Sequence, residues 1–250
     1  MCWAWENDLV WLKQTKPEVC YWAPIGAWQE INWPERFTRL AITSGTFIRI
    51  PDEMVHIWKT GLADRLQIES TRAQWDYLYG VSDLVNLRGN RFHKKKNLLY
   101  QFQKNYDFTY RTLGPDTVEL ALAMQTDWCS WRDCESSENL SAENRLIERV
   151  LKNWDRFSGL TGGVLTVNQK MVAYTVAEPL TKDMLLIHFE KASSEFKGVY
   201  QAINQMFLSH SAQTFKVVNR EQDLGDEGLR KAKLSYHPVE FLPKSKIEIS

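Results

Sequence analysis

The chain has 250 residues, 44% of them hydrophobic and 25% charged, and its 31 basic and 31 acidic side chains leave a formal net charge of zero. That composition belongs to a globular chain of one large domain or two small ones, and it excludes wholesale disorder. A zero balance also speaks against a dedicated nucleic-acid binder, which carries a basic excess, and no apolar run approaches the roughly 18–20 residues of a membrane span.

The opening "MCWAWENDLVW" has neither a basic leader nor a continuous apolar core, so a cytoplasmic protein is expected, meeting the inner face of a membrane only peripherally. Cys2, Cys20, Cys129 and Cys134 form no paired C-x-x-C pattern, which makes a zinc or other metal site unexpected; Cys129 and Cys134 in "WCSWRDC" are expected to be reduced thiols at a helix end. Six of the eleven tryptophans fall within the first 33 residues. On strands they suit a half-buried pleated surface packed on helices better than a base-stacking platform.

In chain order, strands are expected at Leu9–Lys13 and Val19–Ala23, the first with no preceding element to pair it. A helix through "WPERFTRLAITSG" follows, with Pro34 at its start and Gly45 at its stop. Then come a strand at Phe47–Ile50, a helix or turn through "DEMVHIWKTG", and extended segments as far as "VSDLVNL". The basic run "RGNRFHKKKN" comes next, in a stretch with no acid between Asp83 and Asp107. Phe92, Leu99, Phe102 and Tyr106 recur at helical spacing and predict a basic amphipathic helix over 88–106 that links two halves, 1–87 and 107–250.

The second half reads as a strand at "DFTYRTL", a helix started by Pro115 and Asp116, and a helix capped by Ser141. The runs "GGVLTVNQ" and "KMVAYTVAEPL" then form a hairpin, and "DMLLIHFEKA" a third strand. The helix "VYQAINQMFLSH", the strand "TFKVVNRE", a short helix in "DEGLRKAKLSY" and a last strand "VEFLPKSKIEI" complete the order.

This succession resembles the GNAT acyltransferase fold, in which a central strand splays from its neighbour to admit an acyl donor. The segments "HFEKASSEFKGVYQAINQMF", "DLVNLRGNRFHKKKNLLYQFQKNY" and "NREQDLGDEGLRKAKLSYHPVEF" are similar to the soluble, mostly uncharacterised bacterial branch of the phosphatidylglycerol lysyltransferase C-terminal domain family. Its tail pattern matches Gly228, Leu229, Arg230, Lys231, Lys233 and Pro238. The resemblance implies an α+β fold of two GNAT-like units in tandem, related to the Fem-type aminoacyltransferases, with mixed, largely antiparallel sheets flanked by helices. It also implies a first unit shortened before Met1 and a second, complete unit over 107–250.

Acyl transfer requires a base for the acceptor and donors aimed at the developing oxyanion. On the strand expected to splay, His188 and Glu190 share one face by strand alternation and are candidates for the base; the alternative makes them structural polar partners. Tyr200 is a candidate for protonating the leaving group, or a packed tyrosine. The loop before its helix departs from the acetyl-CoA pattern Q/R-x-x-G-x-G/A: Glu195 and Tyr200 flank Gly198 where a cationic or polar residue and a small one would suit a pyrophosphate. That departure weakens an acyl-CoA donor and agrees with the aminoacyl-tRNA donor that the resemblance to Fem-type aminoacyltransferases implies.

Substrate-binding candidates are Lys197, Gly198 and Asn204 in this loop and helix, Asn219, Arg220 and Glu221 at a strand end, and Arg230 with Lys233 as an anion-holding pair. Arg91, His93, Lys94 and Lys95 from the basic run complete the set. An enzyme should bring Glu190, Tyr200 and Arg230 to one cleft. The leading expectation is aminoacyl transfer from tRNA to an amine, lipid head group or peptide. An acyl-CoA-dependent N-acyltransferase and a non-catalytic anion- or RNA-binding module are the alternatives.

Overall fold

The computed structural model describes residues 1–250, with side chains throughout except at Ala63 and Asn139. The chain forms two compact units that are not consecutive in sequence: Met1–Tyr77 with Gln222–Lys231 and Glu240–Ser250, and Leu78–Glu221 with Ala232–Val239. The division at 1–87, 88–106 and 107–250 is thus drawn differently here, because the final strand returns to the first sheet.

In unit 1, strands β1 (Cys2–Glu6) and β2 (Leu9–Gln14) form a hairpin, with Asn7 in the left-handed region at its turn. Leu9–Lys13 therefore has the partner that the sequence pattern did not supply: "CWAWE" is itself a strand. Then follow β3 (Cys20–Trp22), β4 (Ile25–Gly26), helix α1 (Trp33–Arg39), β5 (Gly45–Pro51), α2 (Asp52–Leu62) and β6 (Leu66–Ser70). The sheet order is β1, β2, β3, β5, the C-terminal strand Lys244–Ile249, then β6, with β4 paired to β2. Asn32 caps α1 and Pro34 stands in its first turn, but the helix ends at Leu40, ahead of Gly45, because the chain turns left-handed at Ala41. Leu9, Trp11, Trp33, Phe37, Phe47, Trp58 and Ile247 meet in one apolar core. The Trp33 and Trp58 rings lie 5.2 Å apart and tilted, a contact worth about 0.5–1.5 kcal/mol beyond the area it buries.

Unit 2 holds most of β7 (Asp76–Gly80), then α3 (Val81–Asn86), α4 (His93–Asn105), β8 (Phe108–Thr112), α5 (Val118–Trp131) and α6 (Glu138–Lys152). After these come β9 (Thr161–Val167), β10 (Lys170–Pro179), β11 (Met184–Ala192), α7 (Val199–Ser211) and β12 (Val217–Asn219). The segment "VSDLVN" is helix rather than extended chain, closed by Leu87 in the left-handed region. Ser137, not Ser141, caps α6, its hydroxyl accepting from Leu140 N. Asn168 and Gln169, both left-handed, make the two-residue turn of the β9–β10 hairpin. Cys129 and Cys134 are joined in a disulfide rather than left as thiols: the chain turns back at Asp133 and brings the two Cα atoms to 5.1 Å.

The sheet of unit 2 runs β7, β12, β11, β10, β9, β8. One face packs on α5 and α6 through Val164, Tyr174 and Val176, while α7 covers the other and α3 and α4 pack on α7. Among the described residues, no helix is long and apolar enough to cross a membrane.

Candidate active site

The strand geometry of unit 2 opens a gap where the chemistry was sought. β11 and β12 run parallel and pair only from Met184 to Leu186 against Val217 to Asn219. Beyond Leu186, β11 continues to Ala192 with β10 alone. The backbone and side chains of residues 187–192 on one strand and 220–221 on the other therefore line a splay.

A β-bulge sits at this point. Val176 pairs with Phe189 and Ala177 with Ile187, so His188 is the extra residue. The expected shared face of His188 and Glu190 is lost for that reason. Glu190, opposite Thr175, turns to the α7 side and accepts from Asn204 Nδ2 at 2.9 Å and from Arg220 Nη2 at 2.8 Å. His188 turns to the Glu178 side, its Nε2 lying 3.0 Å from Glu178 Oε1 and its Nδ1 3.2 Å from Glu221 Oε1. Burial works against the imidazolium, but the two carboxylates outweigh it and raise the His188 pKa above its ordinary value.

Arg220 is the centre of the Glu190 cluster. Its side chain is 14% exposed, its guanidinium carbon lies 5.0 Å from the Tyr236 ring centre and 5.7 Å from that of Tyr79, and Nη1 is buried without a hydrogen-bond partner. Burial opposes its charge, yet Glu190 and the two tyrosines hold its pKa above the ordinary arginine value. Lys95 enters from α4 with Nζ 4.0 Å from the Tyr236 ring centre. Burial and the Arg220 charge lower its pKa to about 8. Burial pushes the Tyr236 phenol up to about 12, and its hydroxyl accepts from Gln201 Nε2 at 3.3 Å.

The other candidates divide. Lys233 closes the strand end by donating from Nζ to the carbonyls of Arg220 and Glu221, and Asn219 Oδ1 accepts from the backbone N–H of the left-handed Glu221 at 2.7 Å. Tyr200, one turn before Asn204 on α7, is 37% exposed and lies 3.5 Å from Trp128 Nε1. Gly198 is a packing glycine: at φ +87°, a Cβ would stand 2.1 Å from the Leu98 carbonyl oxygen of α4. Lys197 is exposed, its backbone N–H donating to Tyr106 Oη at 3.2 Å. Arg91 pairs with Asp83 at 3.0 Å, and His93 and Lys94 face solvent.

Arg230 corrects an expectation. It lies in unit 1, where Nε and Nη2 grip the two oxygens of the fully buried Asp223 at 2.8 and 2.9 Å. Tyr77 Oη donates to the same carboxylate at 2.6 Å. Burial alone would raise the Asp223 pKa, but these donors hold it far below the usual carboxylate range. The Arg230 guanidinium is thus taken up by a structural pair, and within unit 2 the cation beside Glu190 is Arg220. Lys95 and Tyr236, which complete the cluster, come from segments distant in sequence; the one signal for Lys95 was its place in an acid-free run.

The family model for the C-terminal region of phosphatidylglycerol lysyltransferase matches residues 2–247. The chain belongs to that family. Among solved structures, a conserved protein of unknown function from Bacteroides thetaiotaomicron is 31% identical and superposes with a TM-score of 0.88 over 99% of this chain and 85% of its own. The structure of L-PGS from Bacillus licheniformis, 12% identical, superposes with a TM-score of 0.67 over 97% of this chain and 81% of its own, and shares the fold. An uncharacterised protein of Mycoplasmoides gallisepticum is 26% identical over 172 residues, 68% of this chain; the chain spans about half, 54%, of that relative. The α+β fold, two sheets flanked by helices, is the one shared with these structures.

Proposed function

We propose that unit 2 carries the active centre of an aminoacyltransferase, moving an aminoacyl group from tRNA to an amine, a lipid head group or a peptide. The observation that supports this most is the polar cluster of Glu190, Asn204, Arg220 and Lys95 beside the β11–β12 splay, where buried charge is held by few partners. In this reading the backbone of β11 past Leu186, free of β12, supplies hydrogen-bond donors to the developing oxyanion. Glu190 orients Arg220, and the two carboxylates beside His188 favour its protonated form, in which it can give a proton. The family's name supports this reaction class, and a phosphatidylglycerol-like head group becomes one acceptor to test.

Acyl-CoA is the weaker donor. The Leu98 carbonyl packs against Gly198, where an acetyl-CoA enzyme leaves bare backbone for a pyrophosphate. Glu195 and the exposed Tyr200 ring flank the same turn.

The test is transfer of label from a set of charged tRNAs to amine, peptide and vesicle-borne phosphatidylglycerol acceptors, with and without ribonuclease. Ribonuclease-sensitive label in one acceptor class is expected. No transfer from any aminoacyl-tRNA, together with micromolar binding of an acyl-CoA in calorimetry, would replace this reading with the acyl-CoA one.

A further inference from the structure

The charge around Tyr236 does not balance within unit 2. Lys95 and Arg220 bring two cations to its ring, and Glu190 is the carboxylate bound to Arg220. Glu190 is also shared with Asn204. Lys233, nearby in the chain, directs its ammonium to the carbonyls of Arg220 and Glu221. Tyr79 and Tyr236 are neutral walls, and Gln201 on α7 adds an amide. Two donors are left over: Arg220 Nη1, buried and unpartnered, and the half-buried Lys95 ammonium, for which no acceptor is found among the described residues. The buried, charged Nη1 donor of Arg220, left without an acceptor, disfavours the free protein. Such a cost persists where something else completes the site.

We propose that Lys95 and Arg220 Nη1 form a subsite for one monoanionic group, a carboxylate or a phosphodiester, carried by the substrate that enters at the β11–β12 splay. The net charge of the Lys95, Arg220 and Glu190 set is +1, so a single negative charge neutralises it and a dianion overshoots. The subsite rests on the aminoacyl-transfer reading only for which substrate bears that group. Its occupation is coupled to protons. The Arg220 charge and burial that disfavour the Lys95 ammonium are offset once an anion arrives, so binding above pH 8 takes up a proton at Nζ.

The experiment uses the full chain labelled with 13C at the lysine ε-carbons, the Lys95 signal being assigned by its loss in Lys95→Met. Its titration is followed by NMR alone, with dimethyl phosphate and with N-acetylglycine, which separate the phosphodiester from the carboxylate. We expect Lys95 to titrate near 8 without ligand and at least one pH unit higher with one of the two probes. Lys95→Met should lose tenfold or more in affinity for that probe, whereas Lys95→Arg should keep the affinity and lose the proton uptake. A free-protein titration near the ordinary lysine value, or a titration that neither probe moves, overturns the subsite. So does an unchanged shift in Arg220→Lys, or in Arg220→Met where that variant folds. Anion binding without tRNA-dependent transfer would remove the aminoacyl reading and leave the subsite standing; transfer without anion binding would do the reverse.

Discussion

Glu190→Gln tests the centre of the site. The substitution keeps the shape of the side chain and an oxygen able to accept from Asn204 Nδ2, and removes only the charge that faces Arg220. The pair is 2.8 Å long, with the two side chains 14% and 10% exposed, too buried for the weak coupling of a surface ion pair. Leaving Arg220 uncompensated should cost about 3–5 kcal/mol, which lowers the melting temperature by roughly 2–4 °C for each kcal/mol in a chain of this size. The cost belongs to the stranded charge, so removing both charges in Glu190→Gln/Arg220→Met should be less damaging than the two single changes summed. A coupling of about 2 kcal/mol is expected. Urea unfolding of the four proteins of this cycle, followed through the unit 2 transition, gives the numbers. A single variant within about 1 kcal/mol of wild type and a coupling near zero would refute a buried pair at the splay.

Three further outcomes follow from the geometry. Gly198→Ala should destabilise by roughly 2–4 kcal/mol in urea, combining left-handed strain with the clash on Leu98, and an unchanged midpoint would mean α4 does not pack there. His188 has a folded pKa raised above its ordinary 6.5, so its stabilisation is complete below that value and is lost as pH rises through the folded value. The stability margin of wild type over His188→Gln should therefore be largest at acid pH and narrow with rising pH, and a margin that widens would refute the carboxylate contacts. Alkylation of the denatured, unreduced chain should modify Cys2 and Cys20 alone, with all four cysteines modified after reduction, and reduction should lower stability by about 2 kcal/mol for so short a loop.

The order of elements was legible because periodicity and turn chemistry are local. Asn168 and Gln169 mark a hairpin wherever the chain goes, and Leu99 with Phe102 mark the buried side of α4. What was not legible depends on partners. "CWAWE" reads as an unpaired start because its exposed Trp3 and Trp5 give no buried alternation, yet it pairs with β2 from Leu9 to Lys13. The C-terminal strand reads as the end of the second half, although its register is with β5 and β6. Within the site, one bulged residue moved His188 away from Glu190. Nothing in "LLIHFEKA" announces a bulge, since it is set by how β10 and β11 align over their whole length.

The run "RGNRFHKKKN" shows how far a charge pattern can be read without the fold. As a block it suggested a groove for a polyanion. In place, its residues have separate fates: Phe92 is fully buried, Arg91 pairs with Asp83, and His93, Lys94 and Lys96 stay in water. Cations in the first turn of a helix oppose its dipole, at about 0.3–1 kcal/mol each when exposed, so α4 does not need them for its own stability. Lys95 alone turns inward, and there the helix end, the burial and Arg220 all act against its charge. A lysine retained against three unfavourable effects is better explained by a ligand than by the helix it stands on. Neutralising Lys94 and Lys96 should consequently change any tRNA affinity in a strongly salt-dependent way, whereas changing Lys95 should act on a small anion at any ionic strength.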